Sequence, residues 1–156
     1  MFEAHSLISP STSLFKVLGG LADLTNIVLM AWLLIILLRG TKKGALNGKN
    51  WLAIVLAIAS VYIIKTLDSK LHIWERLSLN YSTHSALAAA LVFAICWLDK
   101  KHRILALTVF VAYEVLQMLL GFHSLLDILS TLLIVVPLIG LCLRTGTWQS
   151  RNLQLN

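Results

Sequence analysis

Three residues in this sequence carry the chemistry of proton and group transfer at the edges of apolar segments: His84, His123 and Asp127. On a continuous helix, the spacing His123-x-x-x-Asp127 puts both side chains on one face. There the carboxylate can accept a hydrogen bond from one imidazole nitrogen, fix the tautomer and leave the other nitrogen free as a nucleophile. The other reading of the pair is structural, a cap or a tie between helices. His84 follows Asn80-Tyr81-Ser82-Thr83 and precedes Ser85 and a run of small residues. Small hydroxyl residues at a helix start leave N–H groups and the positive end of the helix dipole available to an anion. Ser82 and Thr83 can equally be ordinary caps, with His84 an interfacial polar residue. Asp23 and Glu114 also fall within apolar runs, where ionisable groups are costly and are functional candidates by default.

The elements that would position these residues are long and apolar. The 156 residues are 58% hydrophobic and only 13% charged, against about a quarter charged in a soluble domain. A soluble fold this apolar would lack the polar surface to cover itself, whereas a bilayer removes that requirement. The sequence therefore predicts an all-α, polytopic membrane helix bundle forming a single domain over 1–156. Five spans of roughly 20 residues are expected, at about 18–38, 51–67, 83–98, 104–122 and 124–143. The last two are separated only by Gly121, Phe122 and His123, and about 40 apolar residues in one helix would overshoot a bilayer, so a tight re-entry is expected there. The stretch from Met1 to about Phe15 is a candidate interfacial segment. No secretory leader is expected: a basic start is missing, and the first apolar run begins late and ends at Arg39, as a retained anchor does.

The net charge of +6 raises the possibility of nucleic-acid binding, but the basic residues sit at the ends of apolar runs, where they set topology. Arg39, Lys42, Lys43, Lys49, Lys100, Lys101, Arg103, Arg144 and Arg151 share one side of a five-span bundle. Lys16, Lys65, Lys70 and Arg76 share the other. Nine against four predicts the N-terminus outside and the C-terminus in the cytoplasm, with Trp51, Trp97 and Trp148 near the inner interface. The two cysteines, Cys96 and Cys142, read as free thiols in apolar surroundings, and neither has the neighbours a metal site needs. His84, His123, Asp127, Lys70 and Arg76 would then gather at the outer face from distant parts of the chain.

At these residues the sequence resembles the type 2 phosphatidic acid phosphatase superfamily of membrane lipid phosphatases and phosphotransferases. Tyr81-Ser82-Thr83-His84 is similar to that family's Pro-Ser-Gly-His motif. Gly121-Phe122-His123-Ser124-Leu125-Leu126-Asp127 is similar to its Gly-x-His-x-x-x-Asp motif. The resemblance covers about Lys65 to Leu143. It implies that His123 attacks phosphorus and forms a phosphohistidine, that Asp127 orients it, and that His84 protonates the leaving oxygen and then activates water or an alcohol. It implies Ser82 and Thr83 as holders of phosphate oxygens and Lys70 and Arg76 as neutralising cations, with no metal or other cofactor. A polyprenyl or glycerolipid phosphate in a bacterial plasma (inner) membrane is the substrate class implied. The family's lysine–arginine motif is one residue longer than the Lys70–Arg76 spacing and ends in proline where Leu77 stands. Leu116 and Gln117 occupy the positions of its Ser-Arg pair.

A second resemblance is to VanZ-like membrane proteins, carried by Glu114-x-x-Gln117 followed by Asp127. Those proteins place Arg where His123 stands and Asn near Ser130 and Thr131. This resemblance implies a non-catalytic membrane protein that binds a lipid headgroup or a partner. In either case Glu114 and Gln117 are expected to support the site from behind, or, for Glu114, to bond a neighbouring helix. A small transporter is disfavoured, because no polar stripe runs through the middle of the spans.

Overall fold

The structure is a computed structural model that describes residues 13–146. Most of the Met1–Phe15 stretch, together with Trp148 and Arg151, lies outside the described residues. Helix α1 spans Ser13–Lys42, α2 Gly48–Leu71, α3 Ile73–Arg76, α4 Thr83–Leu98, α5 Arg103–Leu119 and α6 Leu125–Arg144. Three of these, α1, α2 and α6, are long and apolar enough to cross a membrane, with mean hydropathies of 2.3, 1.8 and 2.4. Helix α4 is equally apolar but shorter, with 16 residues. Less than a third of each long apolar stretch is buried. Outward-facing Leu, Ile and Val residues such as Val17, Ile27, Ile63, Val111 and Leu133 cover the remainder. That distribution suits lipid as solvent and describes an integral membrane helical bundle.

Helix α4 is the axle. It packs against α1, α2, α5 and α6, while α1 meets α5 and α2 meets α6 around it. Ala86, Ala88, Ala89, Ala90 and Ala94 are completely buried. Association inside a membrane gains little from the hydrophobic effect and relies on close packing, and these short side chains let four neighbours approach one helix.

The helices alternate in direction, so the bundle has two chemically different ends. One gathers the α1–α2 loop, the α4–α5 loop and the end of α6. There the Asn50 side-chain amide donates to the Gly146 carbonyl (3.4 Å), and Trp51 Nε1 donates to Thr41 Oγ1 (3.0 Å). The other gathers the α2–α4 connection and the α5–α6 turn. Trp74 of α3 is buried there and donates through Nε1 to Ser130 Oγ of α6 (3.0 Å). The Trp74 ring packs edge-on against Tyr81, whose hydroxyl donates to the Val61 carbonyl of α2 (3.0 Å). These contacts pin the segment leading into α4.

The α5–α6 re-entry is made by Gly121, at φ +70°. Its N–H donates to the Met118 carbonyl, and the Phe122 N–H reaches back to the Gln117 carbonyl (3.1 Å), the paired closure of a Schellman motif. A Cβ at this left-handed position is strained. Gly121→Ala should therefore cost about 1 kcal/mol, read as a lower thermal midpoint in detergent.

Candidate functional site

His123 lies between two helix ends, not on a helix. Helix α5 ends at Leu119, and α6 is capped by Ser124. The i,i+4 geometry expected for His123 and Asp127 is therefore absent, because residue 123 precedes the cap and is not wound onto α6. Asp127 instead closes a capping box. One oxygen accepts from the Ser124 N–H (2.9 Å), while Ser124 Oγ accepts from the Asp127 N–H (3.2 Å). Its other oxygen accepts from the Asn80 N–H at 2.7 Å, 47 residues away. Asp127 is buried, and both carboxylate oxygens are engaged with backbone. The expected hydrogen bond from His123 to Asp127 is replaced by these two, and Nδ1 of His123 is buried without a hydrogen-bond partner among the described residues.

Asp127 still acts on His123 through its charge. Burial pulls the His123 pKa below the ordinary imidazole value; the Asp127 carboxylate pushes it back up, and nearby His84 pulls it down. His84 is exposed in the first turn of α4, and His123 is half-buried. The lowered pKa favours the neutral imidazole, whose lone pair is available to an electrophile. The same shift has a sign for stability. Protonation is disfavoured in the folded state, so the contribution is present above the unfolded imidazole pKa and is lost as pH falls through the folded one. Followed by NMR, the imidazole should titrate below its ordinary value, and Asp127→Asn should move it lower still by removing the negative charge that raises it.

Ser82 is fully buried, so it cannot touch a ligand at the surface as the motif suggested. Its N–H donates to Thr131 Oγ1 (3.0 Å), and its hydroxyl caps α4 through the Ser85 N–H (3.3 Å) while donating to Ser85 Oγ (2.7 Å). Ser85 Oγ in turn donates to Glu114 Oε2 (2.6 Å). A hydroxyl relay therefore runs from the start of α4 to a buried carboxyl on α5. Thr83 is half-buried at the first position of α4. Lys70 and Arg76 are exposed on α2 and α3 at this same end, with no ion pair among the described residues.

Glu114 and Gln117 stand one turn apart on α5 and face the interior, 8% and 2% exposed. Among the described residues, Glu114 Oε1 and Gln117 Oε1 have no donor. Glu114 thus bonds a neighbouring helix, and neither residue reaches His123 by a hydrogen bond among the described residues. Asn26 of α1 joins this layer by donating to the Tyr113 hydroxyl (3.1 Å), whereas Asp23 is exposed. Ser85→Ala would leave Glu114 with no donor in a low-dielectric interior. It should destabilise the fold by about 1–3 kcal/mol, measurable as a lower unfolding midpoint with the helical circular dichroism signal retained.

Cys96 and Cys142 are free and half-buried. Among the described residues no cluster of three His, Cys, Asp or Glu side chains could hold a metal ion.

Sequence reasoning missed Asn80, Ser85, Trp74 and Thr131 as the residues that fix the site. The Ser124-x-x-Asp127 capping-box pattern was legible and pointed to the role that Asp127 takes. The Asn80 and Thr131 contacts carry no sequence signal, because they join segments 47 and 49 residues apart.

Fold and site together define an integral membrane helical bundle with two histidines toward one end. No family model, curated protein or solved structure matches the chain significantly.

Proposed function

We propose that this end of the bundle binds a lipid phosphate and that His123 and His84 transfer its phosphoryl group. In this reading a His123 nitrogen attacks phosphorus, the bond from phosphorus to the lipid oxygen breaks, and that oxygen takes a proton from His84. Water or an alcohol then gives its proton back to His84 and attacks phosphorus, breaking the P–N bond and freeing His123. Exposed Lys70 and Arg76, with the half-buried Thr83, are the groups on this side suited to phosphate oxygens. Asp127 serves by position and charge: it ties Asn80 to the start of α6 and keeps a negative charge near the imidazole that becomes cationic.

The observation that carries the reading is the tie between the two helix starts next to His84 and His123: the Asn80 N–H donates to the Asp127 carboxylate (2.7 Å) and the Ser82 N–H to Thr131 Oγ1 (3.0 Å), which brings residues 39 positions apart to one end of the molecule. The proposal takes the bundle as five spans, with this end outside the plasma membrane, in keeping with the basic residues concentrated at the other end. A polyprenyl phosphate or a glycerolipid phosphate is the substrate class.

A second reading is a VanZ-like or degenerate phosphatase fold that binds the headgroup without turning it over. It is favoured by the engagement of both Asp127 oxygens with backbone and by Gln117 in place of a clamping arginine. Phosphate release by purified protein, measured across lipid phosphates with and without chelator, separates the two. Chelator-resistant release that depends on His123 supports transfer. Saturable lipid binding without release supports the second reading. Neither binding nor release would remove both.

A further inference from the structure

The end opposite the histidines carries its own candidate ligand site. Helix α4 packs against both α5 and α6, but α5 and α6 share few direct contacts. They leave between them a cleft of about 370 Å³. It is lined by Phe93 and Trp97 of α4, Leu107 of α5 and Gly140 of α6, with Arg103 and Arg144, the first residue of α5 and the last of α6. A Cβ built on Gly140 meets nothing within 4 Å, so open space continues there.

The surroundings are one-sided in charge. Among the described residues this end holds Arg39, Lys42, Lys43, Lys49, Lys100, Lys101, Arg103 and Arg144 against a single acid, Asp99. Asp99 is occupied locally: its carboxylate lies 2.7 Å from His102 Nδ1 and accepts from the Lys101 N–H (3.0 Å). Among the described residues, no Asp or Glu lines the cleft. Trp32, packed edge-on against His102, and Trp51, bonded to Thr41, lie at the same level, as aromatic side chains do at a headgroup boundary.

The geometry points to a binding site for one anionic glycerophospholipid, with its phosphate between Arg103 and Arg144 and an acyl chain in the cleft. Guanidinium forks suit phosphate oxygens bidentately, and an apolar slot between membrane helices suits a hydrocarbon chain. The occupant is a resident lipid and not the substrate proposed above, because the two sites lie at opposite ends of the bundle.

The test is native mass spectrometry of the full chain in a neutral detergent, titrated with phosphatidylglycerol, with phosphatidylcholine of the same acyl chains, or with glycerol phosphate. Phosphatidylglycerol should bind at least about tenfold tighter than either alternative. Arg103→Gln/Arg144→Gln should weaken it about thirtyfold, from roughly fivefold for each basic group at a membrane surface. Gly140→Leu keeps both arginines, fills the cleft and should weaken binding comparably. His123→Ala and Lys70→Gln/Arg76→Gln should leave it unchanged. Equal affinity for phosphatidylcholine, unchanged binding by either the arginine or the Gly140 variant, or equal binding of glycerol phosphate would each overturn the assignment. Failure here would leave the histidine site untouched, and failure of phosphoryl transfer would leave this one untouched.

Discussion

Replacing His123 by alanine should reduce phosphate release from a lipid phosphate by a factor on the order of 10³ or more, as loss of a covalent nucleophile does. The fold should survive, because among the described residues His123 makes no hydrogen bond that holds other segments together: its Nδ1 has no partner there, and the α5–α6 turn is closed by Gly121, Phe122 and Ser124. Helical circular dichroism and the unfolding midpoint should therefore stay close to wild type while turnover disappears. His84→Gln should behave differently. A general acid contributes roughly 10²–10⁴-fold, and its loss matters less when the leaving oxygen needs no proton. An aryl phosphate with a good leaving group should thus restore phosphoryl transfer to His123 in His84→Gln, read as a rapid first burst of phenol followed by slow turnover, and should restore nothing in His123→Ala. Turnover that persists in His123→Ala would end the phosphohistidine reading.

Asp127→Ala should have the second-largest effect, acting first on stability. The substitution removes the acceptor for two backbone N–H groups, Ser124 at the cap of α6 and Asn80 before α4. Loss of the carboxylate half of the capping box and an unpaired Asn80 N–H in partly buried surroundings together cost about 2–4 kcal/mol. The unfolding midpoint should fall clearly, and the Asn80 and Ser124 amides should exchange faster with solvent. Activity should fall as well, because the same carboxylate fixes the loop that leads to His84 and the turn that holds His123. Asp127→Asn keeps an oxygen acceptor and the volume but loses the charge, so it should retain more stability than alanine and still lose turnover. If Asp127 acted only by hydrogen bonding to His123, Asp127→Ala would cost activity with little change in the midpoint. That result would contradict the capping geometry.

The residues themselves fixed a good deal of this protein. The long runs of Leu, Ile, Val and Ala determine helices, since no other open structure satisfies its backbone in lipid. The expected breaks at the basic loops and at Gly121–Phe122–His123 fall between the observed helices. Their bounds differ mainly at the ends, where α1 and α2 run past the expected spans to Lys42 and Leu71. The gathering of His84, His123 and Asp127 at one end follows from the alternation of the helices. What only the tertiary structure decided is which polar atoms satisfy one another. Ser82 looked available for phosphate and is instead enclosed between Ser85 and Thr131. Asp127 looked like the partner of His123 and belongs instead to Ser124 and Asn80. The physical reason is local: a buried carboxylate takes the nearest unpaired donors, and at a helix start those are backbone N–H groups. Residue spacing shows which side chains share a face once a helix exists. Whether the helix has begun at His123, and which distant loop supplies the second N–H, depends on how α4 and α6 pack.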